Sequence, residues 1–363
     1  MAENTNRIDM AEVMRKINYG SIPEAVSQVM STTSMGAMDA VIGQTFHGMN
    51  HRQIAAATPI NKDFHGLTFF TRPRFNLTTA NLHNSRQLTP LLTTQSASVQ
   101  RAIRCLLDPQ LAKTGIRCDV VDDQQAFIPI LTNNLVSMNG WPDVRADTYS
   151  SADGAYKQSW SMVDSVAQDY STYDITADFR NLPGSPITLL FFTWIHYMSL
   201  IYQGILVPYF DAIIEKEIDY NTRIYRLVMD STKTKVQGIS ACGAALPLSA
   251  PIGAMFNFAA DRPVNQANDT ISMQFRAMGA MYQDDMLIYE FNRTTHLFND
   301  TLKDQYRENM YKRIDIEFLE FFNNQGYPRI NPNTYELEWW VPKDIYNQRM
   351  QLYVAQKNRR TTT

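Results

Sequence analysis

The stretch ITLLFFTWIHYMSLIYQGILV, Ile187–Val207, carries no Asp, Glu, Lys or Arg, and the charge-free zone around it opens after Arg180 and closes at Asp211. At about 1.5 Å per residue a helix of this length reaches roughly 32 Å, enough to cross a bilayer or the middle of a large domain. The flanks decide between the two. Upstream, DITADFRNLPGSP reads as an alternating strand followed by a Pro183-Gly184 turn. Downstream, YFDAIIEKEIDYNTRIYRLVMD reads as a short acidic segment and a second alternating strand. Neither end has the basic collar that orients membrane spans. Thr193, His196, Ser199 and Gln203 recur three or four residues apart and give the helix a polar seam. We read the stretch as a helix packed on a sheet, with His196 as a hydrogen-bonded core residue.

Working outward, period-two patterns supply the sheet. Tyr225, Leu227 and Met229 share one face against Arg226 and Asp230; Ile271, Met273, Phe275 and Ala277 alternate with Ser272, Gln274 and Arg276. AYKQSWSMVDSV alternates at Tyr156, Gln158, Trp160 and Met162, and MLIYEFN (286–292) completes the set. Such alternation predicts antiparallel strands with one buried face. Earlier in the chain, DFHGLTFFTRPRFN places Leu67, Phe69 and Thr71 opposite Thr68 and Phe70, and Pro73 ends that strand. SASVQRAIRCLLDPQ predicts a helix with Val99, Ile103 and Leu106–Leu107 inward, Ser96 or Ser98 as cap and Asp108-Pro109 as stop. Later, Leu302, Tyr306, Met310, Ile314 and Phe318 predict a helix over 296–323. The expected organisation is a helical or extended arm (1–60), a small α+β elaboration (61–155), a β domain with the central helix (156–295), and a C-terminal helix and tail (296–363).

With 44% hydrophobic and 19% charged residues the chain can bury a sizeable core. Its 33 basic and 36 acidic side chains, net −3, argue against a dedicated nucleic-acid binder. Cys105, Cys118 and Cys242 are odd in number and widely spaced, which predicts a reducing compartment during folding, and the N-terminus lacks the apolar core of a signal peptide. Motifs for chemistry are sparse. His47 and His51 lie four apart but have Gly48 and Asn50 between them and no Glu after His47, so we expect no metal site there. Asp164, Asp169, Asp174 and Asp178 share no periodic face, the pairs Asp122-Asp123 and Asp284-Asp285 would point to opposite sides of a strand, and Arg72, Arg74 and Arg86 are separated by neutral residues. No P-loop, GxGxxG or GxSxG occurs. We expect a protein that is not an enzyme and takes no cofactor.

The ordered elements YKQSWSM, DFRNLPGSPITLLFFTWIHYMSLIYQG, DYNTRIYRLVMDSTKTKVQGISACGAALPLSAPIGAMFNF and NDTISMQFRAMGAMYQDDMLIYEFN resemble baseplate and tail-tube-initiator proteins of phages with long contractile tails. The upstream LTFFTRPRFNLTTANL and SVQRAIRCLLDP also look like virion structural proteins. The resemblance implies an α+β fold: a tail-tube-like antiparallel β-barrel or sandwich with a packed apolar helix, elaborated by helical and irregular extensions. It also implies a sixfold ring of copies, joined by edge strands, that caps the hub and seeds tube polymerisation. Partners would be further copies and tube, hub and baseplate wedge subunits, with no specific nucleic acid and no membrane. Assembly would take place in the host cytoplasm and end in the virion. A tail terminator or neck protein is the neighbouring alternative; a membrane protein spanning at 187–207 and a peptidoglycan-cleaving enzyme are the other classes. Candidate interface residues are Arg262, Asn265 and Asn268 in a long polar loop, and the aromatic anchors Phe69, Phe70, Trp339 and Trp340, for which core burial is the competing expectation.

Overall fold

A computed structural model describes residues 65–164, 171–230, 232–256, 260, 269–323 and 325–361. The strands are β1 (His65–Phe70), β2 (Leu135–Asn139), β3 (Thr148–Ser150), β4 (Ser161–Val163), β5 (Thr172–Arg180), β6 (Ile224–Met229), β7 (Val236–Pro247), β8 (Thr270–Tyr282), β9 (Tyr311–Arg313), β10 (Tyr327–Ile330) and β11 (Leu337–Pro342). The longer helices are α1 (Val99–Leu107), α2 (Pro186–Tyr202), α3 (Met286–Phe298) and α4 (Lys343–Thr361). Six strands form one antiparallel sheet in the order β1-β6-β7-β8-β5-β2, curled into a half-barrel. The sheet β10-β11-β9 is separate in its pairing but packs Ile330 and Leu337 into the core beside β6 and β7, and the hairpin β3-β4 forms a third sheet. The architecture is mixed α and β. The large sheet takes β1 and β2 from the 61–155 span and its other strands from 156–295, so it crosses the division expected near residue 155.

The organising stretch is helical over Pro186–Tyr202. Pro186 occupies the first turn, where its preset φ suits a helix and its missing N–H costs nothing. Gly204, at φ +73°, ends it, and Leu200 O then accepts from the N–H groups of Ile205 and Leu206. Ile187, Leu190, Phe191, Trp194, Tyr197 and Leu200 form the buried stripe, spaced three or four apart, and pack into the concave face of the sheet on Ile175, Ala177, Phe179, Met273 and Phe275. Thr193, on the expected seam, turns its hydroxyl to Leu189 O at 2.9 Å, Ser199 and Gln203 are exposed, and His196 packs on the Phe192 ring at 4.1 Å. Among the described residues no helix is long and apolar enough to cross a membrane.

The convex face is shared. Over β1, β6 and β7 it is covered by α3, through Phe69, Tyr225, Leu227, Ile239 and Ala241 against Leu287, Ile288 and Phe291. Over β5 and the first part of β8 it is open. The change occurs at a pair of glycines. Neighbouring residues Phe69/Phe70, Tyr225/Ile224 and Ala241/Cys242 divide between the two cores, as opposite faces of a strand must. In β8, Ala277 faces the α2 core, whereas Met281, an even number of residues on, packs on the α3 core. Between them lies Gly279 at φ +67°, level with Gly243 of β7, and the register is unbroken from Ala244↔Met278 to Cys242↔Ala280. A Cβ on Gly243 would meet Met278 O at 3.1 Å. Both strands change face here together, since Ala245 of β7 faces the α2 core and Ala241 the α3 core.

Three expectations are corrected. MLIYEFN is the start of α3 and not a strand: Leu287, Ile288, Phe291, Asn292 and Thr295 fall on one helical face, and the Asp284 carboxylate accepts the Met286 N–H at 2.8 Å. The helix expected over 296–323 is broken. Asn299 caps a short turn through the Thr301 N–H, helix returns only at Asp304–Met310, and Tyr311–Arg313 is drawn into a sheet by β11. The four-residue repeat spans unlike environments, with Leu302 and Ile314 buried and Tyr306 and Met310 exposed. Finally, the 156–162 alternation lies outside the main sheet, in the hairpin described next.

Candidate functional site

Three surfaces of the half-barrel are built for contact rather than for chemistry. The first is the open part of the convex face. Asp174, Thr176 and Asp178 of β5 lie opposite Arg276, Gln274 and Ser272 of β8. Arg276 Nε bonds Asp174 Oδ1 at 2.6 Å, and Ser137 on β2 donates to Asp178 Oδ2 at 2.5 Å. The hydroxyls of Ser137 and Ser272 hold the Asp178 carboxyl below its ordinary value. The result is a flat polar face with paired charges.

The second surface is the sheet's pair of edges. Among the described residues no strand pairs with the outer edge of β2. At β1, Phe70 O accepts from Ile128 N at 2.9 Å, so the segment after β1 is closed by residues 126–128. A clamp secures that closure. Arg72, buried, donates to Leu106 O at 2.8 Å, Cys105 O at 2.6 Å, Gln125 O at 2.8 Å and Asp123 O at 3.1 Å. Burial lowers its pKa to about 10. One guanidinium thus ties carbonyls of the last turn of α1 to those of the 123–125 segment, the Cys105 carbonyl being the buried one.

The third surface is the hairpin. Its ladder extends from Asp164 N→Asp147 O through Ser151 N→Trp160 O to Gly154 N→Gln158 O, all at 2.8–2.9 Å, so the backbone is well paired. Every side chain from Asp143 to Ser150 and from Ala152 to Asp164 is nevertheless exposed. Tyr156 is 92% and Trp160 59% accessible, and Tyr149, Met162 and Val163 join them. Two strands without a core are marginal in water, and this pair leaves its aromatic side chains exposed.

The residues expected at interfaces lie elsewhere. Phe69 is inside the α3 core, 5.1 Å from Phe127 and 5.2 Å from Phe291. Phe70 is inside the α2 core, 5.8 Å from Phe179 and 5.9 Å from Phe275. Trp340 is buried under the Arg307 guanidinium, 4.5 Å from its ring, and donates to Glu338 at 3.0 Å. Trp339 is half-buried, 6.4 Å from Phe69. These aromatics hold one subunit together. Arg262, Asn265 and Asn268, and also His47 and His51, lie outside the described residues. The hairpin aromatics were missed because period-two alternation says nothing about what a strand packs on. The available signal was the turn pair Asp153-Gly154 directly before Tyr156, which marks a local hairpin. Among the described residues no three His, Cys, Asp or Glu side chains gather as a metal site would require.

Comparison with solved structures finds similar chains, among them three that are each matched over 44% of this one. The tube-terminating cap of the anti-feeding prophage is 17% identical over 83% of its own length, with a TM-score of 0.26. The extended sheath-tube complex of the extracellular contractile injection system PVC gives 18%, 83% and 0.26, and the PVC sheath/tube terminator 16%, 87% and 0.24. No curated protein matches the chain. The sequence model of one family, however, matches residues 7–356, nearly the whole chain. The chain therefore belongs to the phage tail tube protein family, and its role is structural, in a phage tail.

Proposed function

We propose that copies of this chain close into a sixfold ring at the baseplate end of the tail, on the hub, and present a face from which the tube polymerises. The observation that carries this reading is the hairpin β3-β4: a well-paired backbone whose apolar side chains are exposed among the described residues. Such an element needs a cover, and we assign that cover to another molecule. The open edge of β2 offers neighbouring copies a strand to pair with, and a contact between unlike surfaces that repeats by rotation closes a ring. The additions beyond the half-barrel, the three-stranded sheet and α4, suit a ring made once per tail rather than one repeated along it. Hub and wedge proteins are then its partners at the baseplate, and assembly precedes incorporation into the virion.

Negative-stain imaging of the purified protein tests the ring, and gold labelling of intact tails tests its place. Sixfold particles with a central hole and label at the baseplate are expected. Label at the head-proximal end would make it a terminator instead, and absence from tails would overturn the proposal.

A further inference from the structure

The stretch that organises the fold ends in a surface the fold does not use. After α2, the side chains of Tyr202, Ile205, Val207, Phe210, Ile213, Ile214 and Ile218 project into solvent, Tyr202 at 93% and Phe210 at 73% accessibility. This is not a loose loop. Leu206 is buried, Val207 N donates to Asn81 Oδ1 at 3.2 Å, Tyr209 donates to the buried Asp108 at 2.8 Å, and Tyr197 donates to Asp219. The platform is anchored on α1 and α2 and holds its apolar side chains outward. Asp211, Glu215 and Glu217, all exposed, surround it, against Lys216 and Arg74, which pairs with Glu217 at 3.5 Å, so the acids left unpaired among the described residues are Asp211 and Glu215.

We infer that this platform receives the C-terminal helix α4 of a neighbouring copy, an inference that rests on the ring proposed above. Charge selects the occupant. Over Lys343–Thr361 the sequence carries Lys343, Arg349, Lys357, Arg359 and Arg360 against Asp344 alone. Among its described side chains, Tyr346 and Met350 pack in a small core and Tyr353 on Phe318 and Phe321, whereas Leu352 and Val354 point to solvent. A helix of basic sequence with exposed apolar side chains is thus available to a platform that exposes apolar side chains among acids. The other available segments match less well: residues 1–64 hold five basic and six acidic side chains, and the hairpin span 143–164 two basic and four acidic. Within one chain α4 packs on β9 and β11 whereas the platform is held by Asn81 and Asp108, and the pairing is accordingly assigned to neighbouring copies.

Ile214→Cys and Ala355→Cys, both at exposed positions and made in separate full-length chains, test the contact with a short thiol crosslinker, the native cysteines being buried. The mixture is expected to give a heterodimer that neither variant gives alone. Asp211→Lys with Glu215→Lys in the first chain should lower the yield about tenfold, and Arg359→Glu with Arg360→Glu in the second should restore it. Rings that form without the 214–355 product, or 214–214 dimers in its place, overturn the inference and leave the ring standing. Absence of any self-association overturns both.

Discussion

The strand β8 and the hairpin strand before Val163 alternate in sequence with the same period, yet one holds the molecule together and the other touches almost none of it. Ile271, Met273, Phe275 and Ala277 are buried between two neighbouring strands and under α2. Tyr156, Trp160 and Met162 stand in water on a pair of strands with nothing beneath. Alternation therefore reports that a backbone is extended. Whether the apolar side finds a core depends on what the topology brings opposite it, and in a protein built to assemble, that partner can be another molecule.

The contrast can be broken most forcefully at Phe275. Phe275→Ala removes a fully buried ring in contact with Phe70 and Phe191 and is expected to cost about 3–5 kcal/mol in denaturant unfolding of the free subunit. Arg72→Met should cost about 3 kcal/mol, because the buried carbonyl of Cys105 and the half-buried carbonyls of Leu106, Asp123 and Gln125 lose their donor. A melting curve that stays within a degree of the parent would remove the clamp from the account.

Asp285, just beyond β8, sharpens the comparison with a pH dependence. Its carboxyl is buried, accepts from Tyr335 at 3.3 Å, and is pushed by desolvation from 3.8 to about 6. A raised pKa means the folded state binds the proton more tightly, so this contribution is complete below about pH 4 and is lost as pH rises through 6. Asp108 is raised to about 6 in the same direction. Asp285→Asn should flatten the fall between pH 4 and 6 without abolishing it, and gain roughly 1–2 kcal/mol at pH 7, read as a thermal shift at each pH. The smallest effect on the subunit is expected at the hairpin. Trp160→Ser should change unfolding by less than about 0.5 kcal/mol, yet reduce ring formation in the same preparation. A ring population equal to the parent's would sink the docking role.

Much of the half-barrel was legible because its patterns were unambiguous. The Ile271–Ala277 alternation and the Asp108-Pro109 stop of α1 match what the structure shows. Of the two cap candidates Ser98 is the one used, Val99 is exposed rather than inward, and the helix in the charge-free stretch stops at Tyr202, short of Val207. The misreadings share a cause. MLIYEFN satisfies a two-residue and a helical period at once, and only the following Thr294, Thr295 and Phe298, together with the acidic start, favour the helix. The repeat from Leu302 to Phe318 is helical in spacing but is overruled by tertiary pairing of β9 with β11. Candidate interface residues were chosen for aromatic character, which core and interface share; Phe69, Phe70 and Trp340 went to the core. What separates the two is burial, and burial is not a property of a residue type.

Gly279 has a consequence for how the sequence can vary. Because the strand turns over there, β8 is read in two independent frames: Thr270–Met278 against α2 and the open polar face, Ala280–Tyr282 against the other core. A residue gained or lost in the longer frame inverts that half alone and leaves the α3 core in register. The two cores can therefore diverge separately along a single continuous strand.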